Sequence, residues 1–206
     1  MLRGDRISLI VSLADYGVGN LHSIRKALER CGATVEMVED ISLMVDAECM
    51  VFPGVGAFGR TMERLGPFRD EIVDSLKGGT PCLGICIGMQ ILFEGSDEGG
   101  PPGLGLIKGR VVPLQASCVP HMGWNEVEGN DNLLQGLNDR YFYFAHSYYA
   151  SPEDRSLVVG STYYEGMFPS LFRIANTYGC QFHPEKSSAS GLRVLSNFVA
   201  FAEECL

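Results

Sequence analysis

Positive charge is in short supply: 16 lysines and arginines face 25 aspartates and glutamates, a formal charge of −9. Affinity for a phosphate backbone is built from clustered cations, so this balance excludes a nucleic-acid partner. Membrane-length apolar runs are missing as well. Ile7 to Ala14 spans eight residues, against the ~20 that cross a bilayer. Arg3 and Arg6 precede that run in the manner of a signal peptide. Asp15-Tyr16-Gly17 follows at once without a small-x-small cleavage site, so a buried first strand is expected and no membrane association. There is no internal repeat, no low-complexity tract and no Walker-type or Rossmann glycine fingerprint. The seven cysteines are an odd count in a chain too long to need a disulfide framework. Cys82 and Cys86 form C-x-x-x-C, but no further ligands follow at zinc spacing, so no metal is expected. Cys31, Cys49, Cys82, Cys118, Cys180 and Cys205 read as small buried hydrophobes in a reducing, cytoplasmic compartment. At 46% apolar and 20% charged residues the chain is built to fold, and its 206 residues fit a single domain over 1–206.

Hydrophobic patterning predicts the order of elements. Ile7 to Leu13 reads as a buried strand. A helix follows through Leu21, Ile24, Leu28 and Cys31, with Arg25, Lys26, Glu29 and Arg30 off its apolar face and Gly32 at its end. Thr34 to Val38 and Cys49 to Phe52 read as strands. A helix between Phe58 and Lys77 is broken at Gly66-Pro67. Pro81 to Ile85 is a strand running into Cys86, and Ile87 to Glu94 is expected to continue as a helix. Alternating strands and helices imply a three-layer α/β/α domain with a central, mostly parallel sheet. After the loop Gly99 to Gly103 come short strands at Leu106 to Leu114, Tyr141 to Tyr149, Leu157 to Tyr163, Leu171 to Ala175 and Cys180 to Phe182. That half reads as antiparallel or mixed. Ser188 to Cys205 is a closing amphipathic helix.

Gly84-Ile85-Cys86-Ile87-Gly88 lies between a strand and a helix. The pattern G-x-nucleophile-x-G makes a sharp turn that presents its central side chain at the carboxyl edge of a sheet. A cysteine there faces the positive end of the next helix, which attracts a thiolate. A proton carrier must come from four histidines. His22 falls on the polar side of the first helix, His121 in a loop over Pro120 to Asn125, and His146 at a strand end. His183 belongs to His183-Pro184-Glu185, where residues i and i+2 of an extended segment project together. Glu185 would then fix the imidazole tautomer and leave the other ring nitrogen for the thiol. Pro53-Gly54-Val55-Gly56 ends the third strand, where backbone N–H groups of Gly54 and Val55 could join that of Ile87 around an oxyanion.

Taken together, these motifs resemble the class I, or triad, glutamine amidotransferases. Asp15-Tyr16-Gly17-x-Gly19-Asn20, Pro53 to Gly59, Pro120-His121-Met122-Gly123-Trp124-Asn125 and His183-Pro184-Glu185-Lys186-Ser187 narrow the likeness to the family of glutaminase subunits of imidazole glycerol phosphate synthase. Ile87 stands where that family commonly has Leu. The resemblance implies a flavodoxin-like fold, Cys86 as nucleophile, His183 as acid and base, and Glu185 as its orienter. It matches Gly56, Gln90, Glu94, Ser147 and Tyr148 to the glutamine pocket, and Asn20, Trp124 and Lys186 to a partner interface. It also implies, for a partner, a (β/α)8 cyclase subunit, in a heterodimer making imidazole glycerol phosphate and AICAR for histidine biosynthesis.

Such a site would hydrolyse glutamine to glutamate and ammonia through a glutamyl thioester, without metal or cofactor. Ammonia free in neutral water becomes ammonium, which is no nucleophile, so it needs a sheltered path to an acceptor. Two other readings share these residues: a class I glutaminase serving another acceptor synthase, and a stand-alone cysteine hydrolase of γ-glutamyl bonds. A catalytically silent scaffold would leave the Cys86, His183 and Glu185 set without purpose.

Overall fold

A computed structural model describes residues 8–17, 21–54 and 56–206. Eight strands form the main sheet. Strands β1 (Ile10–Ala14), β2 (Thr34–Val38), β3 (Cys49–Phe52) and β4 (Cys82–Ile85) run parallel in the order β2-β1-β3-β4. Thr177–Cys180, the last strand in the chain, pairs parallel with β4 and completes that half. Antiparallel strands Met167–Ile174, Val158–Tyr163 and Glu128–Gly129 extend its far edge. Within the parallel half, successive side chains alternate between two buried faces. Val11, Leu13, Cys49, Val51, Leu83 and Ile85 join one apolar cluster, while Ala14, Met50, Phe52 and Cys82 join the other.

Helices cover both faces. Helix α1 (His22–Arg30) buries Ile24, Ala27 and Leu28, leaves Arg25 and Lys26 in water, and ends before Gly32, whose φ of 99° closes the turn. On the same face the C-terminal helix Ser188–Cys205 buries Val194, Leu195, Phe198, Val199 and Ala202. Removing each large side chain of this kind from water contributes about 1.5–3 kcal/mol. The opposite face is covered by α2 (Phe58–Leu65) and α3 (Arg69–Gly78), with the expected break falling in a 3₁₀ turn at Gly66–Phe68. The three layers, the parallel core and the antiparallel second half are those read from the sequence.

Several boundaries differ. The segment predicted as a helix from Ile87 to Glu94 is one turn, α4 (Ile87–Gln90), followed by strand β5 (Phe93–Ser96). The backbone beyond Gln90 is claimed by the chain around residue 104: Leu104 donates to the Ile91 carbonyl at 2.7 Å and Ile107 to that of Leu92 at 3.0 Å. Strand β5 pairs with β6 (Ile107–Pro113). The expected loop over Pro120 to Asn125 is instead strand β7 (His121–Glu126), and the next strand after Glu128–Gly129, taken here as β8, is β9 (Tyr141–His146), which pairs along all of β7. What reads as one strand from Tyr141 to Tyr149 is two, because the chain turns at Ser147 into β10 (Tyr148–Pro152). The remaining strands are β11 (Val158–Tyr163), β12 (Met167–Ile174) and β13 (Thr177–Cys180), before α5 (Ser188–Cys205). Strand β13 therefore starts earlier than the expected Cys180 to Phe182 run and overlaps it only at Cys180, and Ile7 and Asn20 fall outside the described residues. Cys118 is exposed and Cys31 and Cys205 are half-buried, so three of the six cysteines expected inside are not core residues. Among the described residues no helix is long and apolar enough to cross a membrane.

Candidate active site

Cys86 sits directly after β4 with φ 50° and ψ −109°. Positive φ is uncommon for a residue with a side chain, and it points to a locally enforced turn. Close packing on both sides enforces it. A Cβ at Gly84 would lie 2.4 Å from the Gly88 carbonyl oxygen, and one at Gly88 would lie 1.9 Å from that of Phe52. The two missing side chains thus let α4 sit hard against β4 and β3. The Cys86 amide donates to the Cys180 carbonyl at 2.7 Å, and the Met89 and Gln90 amides donate to the Cys86 carbonyl. These bonds hold the turn while the side chain projects from the carboxyl edge of the sheet.

His183 arrives from the end of β13. Its amide donates to the Tyr143 carbonyl of β9 at 2.8 Å, and the Ser187 hydroxyl donates to its carbonyl at 2.6 Å. Pro184–Lys186 then forms a 3₁₀ turn rather than the extended segment expected. That turn still brings Glu185 Oε1 to 2.9 Å from His183 Nδ1, with both side chains buried. The ring must donate through Nδ1, so Nε2 is the nitrogen left for Cys86. A Cβ placed on Gly54 would fall 2.8 Å from His183 Cε1 and 3.0 Å from Cys86 Cβ, so strand ends β3, β4 and β13 meet at one point. Burial pulls the His183 pKa down, but hydrogen bonding to Cys86 and Glu185 outweighs it and pushes the imidazole up to about 10. A protonated ring therefore stands beside the sulfur at neutral pH.

A cavity of about 280 Å³ opens next to Cys86, lined by Gly54, Gly56, Ile87, Gln90, Ser147 and Tyr148 among others. That volume suits a small metabolite. Gln90 is 2% exposed; its amide donates to the Tyr148 carbonyl at 3.0 Å and to Gln181 Oε1 at 3.1 Å. Gln181 in turn donates to Cys86 Sγ at 3.5 Å. Glu94, expected in this pocket, is not there. The early end of α4 sends it outward, where its carboxylate accepts from the Gly109 amide at 2.9 Å. Glu98 lines the cavity in its place, braced by the Phe58 amide at 3.1 Å. No spacing rule marks Glu98, since it comes from an irregular stretch after β5. Val55 lies outside the described residues, as does Asn20. Of the expected interface residues, Trp124 is 51% exposed on β7 and stacks edge-on against Tyr143, while the Lys186 ammonium lies 5.8 Å from the same ring.

Comparison with known proteins shows the family of the chain. The family model described as glutamine amidotransferase class-I matches residues 12–201. The chain is 47% identical to imidazole glycerol phosphate synthase subunit HisH of Halobacterium salinarum over 98% of its own length and 97% of the relative's. It is 47% identical to the same subunit of Thermococcus kodakarensis, covering 92% of this chain and 98% of that one. Among solved structures, a glutamine amidotransferase superposes with a TM-score of 0.75 at 18% identity, covering 95% of this chain and 100% of the other. PurLQS from Thermotoga maritima gives a TM-score of 0.69 at 20% identity, covering 95% of this chain and 99% of the matched one. At such low identity these two speak for the fold alone.

Proposed function

We propose a mechanism from the premise that the chain belongs to the class I glutamine amidotransferase family, among the imidazole glycerol phosphate synthase HisH subunits. On this reading Cys86 is the nucleophile, His183 the acid and base, and Glu185 the group that holds the imidazole. The observation that carries it is the meeting of a strained cysteine turn with a carboxylate-braced imidazole at the mouth of a small cavity.

The sulfur of Cys86 attacks the carboxamide carbon of glutamine. The negative charge that develops on oxygen is met by the backbone amide of Ile87 and by those of the Gly54–Val55 segment. The protonated His183 delivers its Nε2 proton to the departing nitrogen, and ammonia leaves. Water then attacks the glutamyl thioester, with the now neutral imidazole taking its proton, and glutamate is released. Glu185 stabilises the ring each time it becomes cationic. Gln90, Gly56, Ser147 and Tyr148 shape the pocket, and the Glu98 carboxylate suits the α-ammonium of glutamine. The HisH relatives are subunits of a synthase, which implies a second, partner polypeptide. We take that partner to be a (β/α)8 cyclase that receives ammonia in histidine biosynthesis, with Trp124 and Lys186 on the docking face and the cytoplasm as the setting.

Replacing Cys86 tests this division of labour. In the assembled synthase, Cys86→Ser should abolish glutamine-dependent synthesis and leave synthesis from added ammonium chloride intact. Loss of both activities would contradict a nucleophile that serves the glutaminase half alone.

A further inference from the structure

Two buried histidines take no part in the chemistry above. His121 and His146 face each other across β7 and β9, 3% and 5% exposed, with His121 Nδ1 at 3.1 Å from His146 Nε2. The donors and acceptors around them leave one assignment. His146 Nδ1 lies 2.9 Å from the Tyr148 carbonyl, which can only accept, so this nitrogen carries a proton. In a neutral ring Nε2 must then accept, so His121 Nδ1 donates to it. His121 Nε2 must in turn accept, and Asn125 Nδ2 lies 3.3 Å away. The Asn125 amide is itself oriented by two further bonds: Nδ2 donates to the Tyr163 carbonyl at 2.9 Å, and Oδ1 accepts from the Glu126 amide at 2.8 Å. Every polar atom in the row is satisfied in one direction only.

We infer that His146 is a positioning residue for the glutamine pocket, its tautomer set by a one-way hydrogen-bond chain from Asn125 through His121, and that it holds the Tyr148 carbonyl turned toward Gln90. The inference deepens the glutaminase reading and rests on it. Tyr148 accepts from both His146 and Gln90, which are themselves cavity residues, so this carbonyl fixes the turn at Ser147 that forms one wall. The row of bonds needs both rings neutral. Burial lowers the pKa of each, that of His146 to about 4, with the His121 and His183 charges adding to burial and the bond to Tyr148 opposing it. The ring of His121 is also clamped in place, between Phe144 at 4.9 Å and Tyr164 at 4.0 Å. A stack with no polar duty would require none of this polar order.

The test uses the full chain, alone for spectroscopy and assembled with its synthase partner for kinetics. In ¹⁵N-histidine spectra of the wild type, His146 should appear as the Nδ1–H tautomer; the Nε2–H tautomer would overturn the inference. His121→Phe keeps an aromatic ring in the Phe144–Tyr164 clamp but removes the donor. It should raise KM for glutamine about five- to tenfold, the worth of roughly one hydrogen bond, with kcat within about twofold. His121→Asn returns a donor at the Nδ1 position and should recover most of that loss. An unchanged KM in His121→Phe, or a fall in kcat alone, would reduce both rings to packing. Should His121→Phe fail to fold, the wild-type tautomer still decides. A wild-type chain that releases no glutamate even when assembled with its synthase partner and acceptor would sink the glutaminase reading instead, while the spectra would still judge the row of bonds.

Discussion

At the scale of single residues, the proposed mechanism turns on how Glu185 is held. One of its oxygens orients His183, while the other, Oε2, is buried without a hydrogen-bond partner. A carboxylate held that way has one evident use, which is to stabilise a cation beside it. Glu185→Gln keeps the shape and removes the charge. It should slow glutamate release about 10²–10⁴-fold, the range general acid–base catalysis supplies, without loss of the folded state. A rate within a factor of two of wild type, with folding confirmed by circular dichroism, would remove Glu185 from the mechanism. Cys86, His183 and Glu185 are legible in the sequence because each sits in a short pattern whose residue types have a mechanical reason. Glu94 and Glu98 are not. A helix over Ile87 to Glu94 would have stacked Glu94 beneath Gln90, but α4 stops after one turn, and only that turn's neighbours decide which acid enters the cavity.

At the scale of elements, tertiary pairing overrides local pattern in two places. The apolar run Ile91-Leu92-Phe93 fits a helix or a strand equally well by periodicity, and pairing with the Leu104–Ile107 segment settles it as a turn at Ile91 and Leu92 that leads into β5 at Phe93. The β7–β9 ribbon differs from its expected loop for a related reason. Its Pro-Gly-rich opening signals a loop, yet inward His121 and Asn125 alternate with outward Met122, Trp124 and Glu126. That alternation is present in the sequence, and it is the signal of a half-exposed strand. By contrast the parallel strands and α5 are readable, because their burial is continuous or strictly periodic. The turn around Cys86 makes the sharpest stability prediction. Gly88→Ala would force a methyl into the Phe52 carbonyl, a backbone atom that cannot rotate aside. It should destabilise the fold by about 3 kcal/mol or more, at or above the usual cost of overpacking, read as a lower denaturation midpoint. An unchanged midpoint would mean that α4 does not press on β3.

For the whole molecule, two buried imidazoles pull stability in opposite directions with pH. His183 gains a proton partner on folding, with its pKa raised from 6.5 to about 10, so its contribution is full below pH 6.5 and lost as pH rises through 10. His146 is held neutral, with its pKa lowered from 6.5 to about 4, so the unfolded chain binds the extra proton and stability falls as pH drops from 6.5 toward 4. These two groups together predict a maximum near pH 6.5 in urea midpoints, and His146→Phe should flatten the acid limb alone. A flat wild-type profile from pH 4 to 10 would contradict both assignments. On the surface, Met122 and Trp124 stand exposed on β7 within reach of the site, which fits a docking face. Trp124→Ala should weaken association with the proposed cyclase partner about tenfold or more, as loss of a buried aromatic anchor does; equal affinity in a pull-down titration would return Trp124 to a local packing role. The most direct measurement is intact-mass analysis of the full chain treated with a glutamine-shaped chloromethyl ketone. Seven cysteines compete for it, and Cys118 is exposed where Cys86 is buried. A nucleophile at the elbow predicts one adduct, on Cys86, suppressed by excess glutamine and absent from Cys86→Ser. Adducts on Cys118 with Cys86 untouched would contradict it.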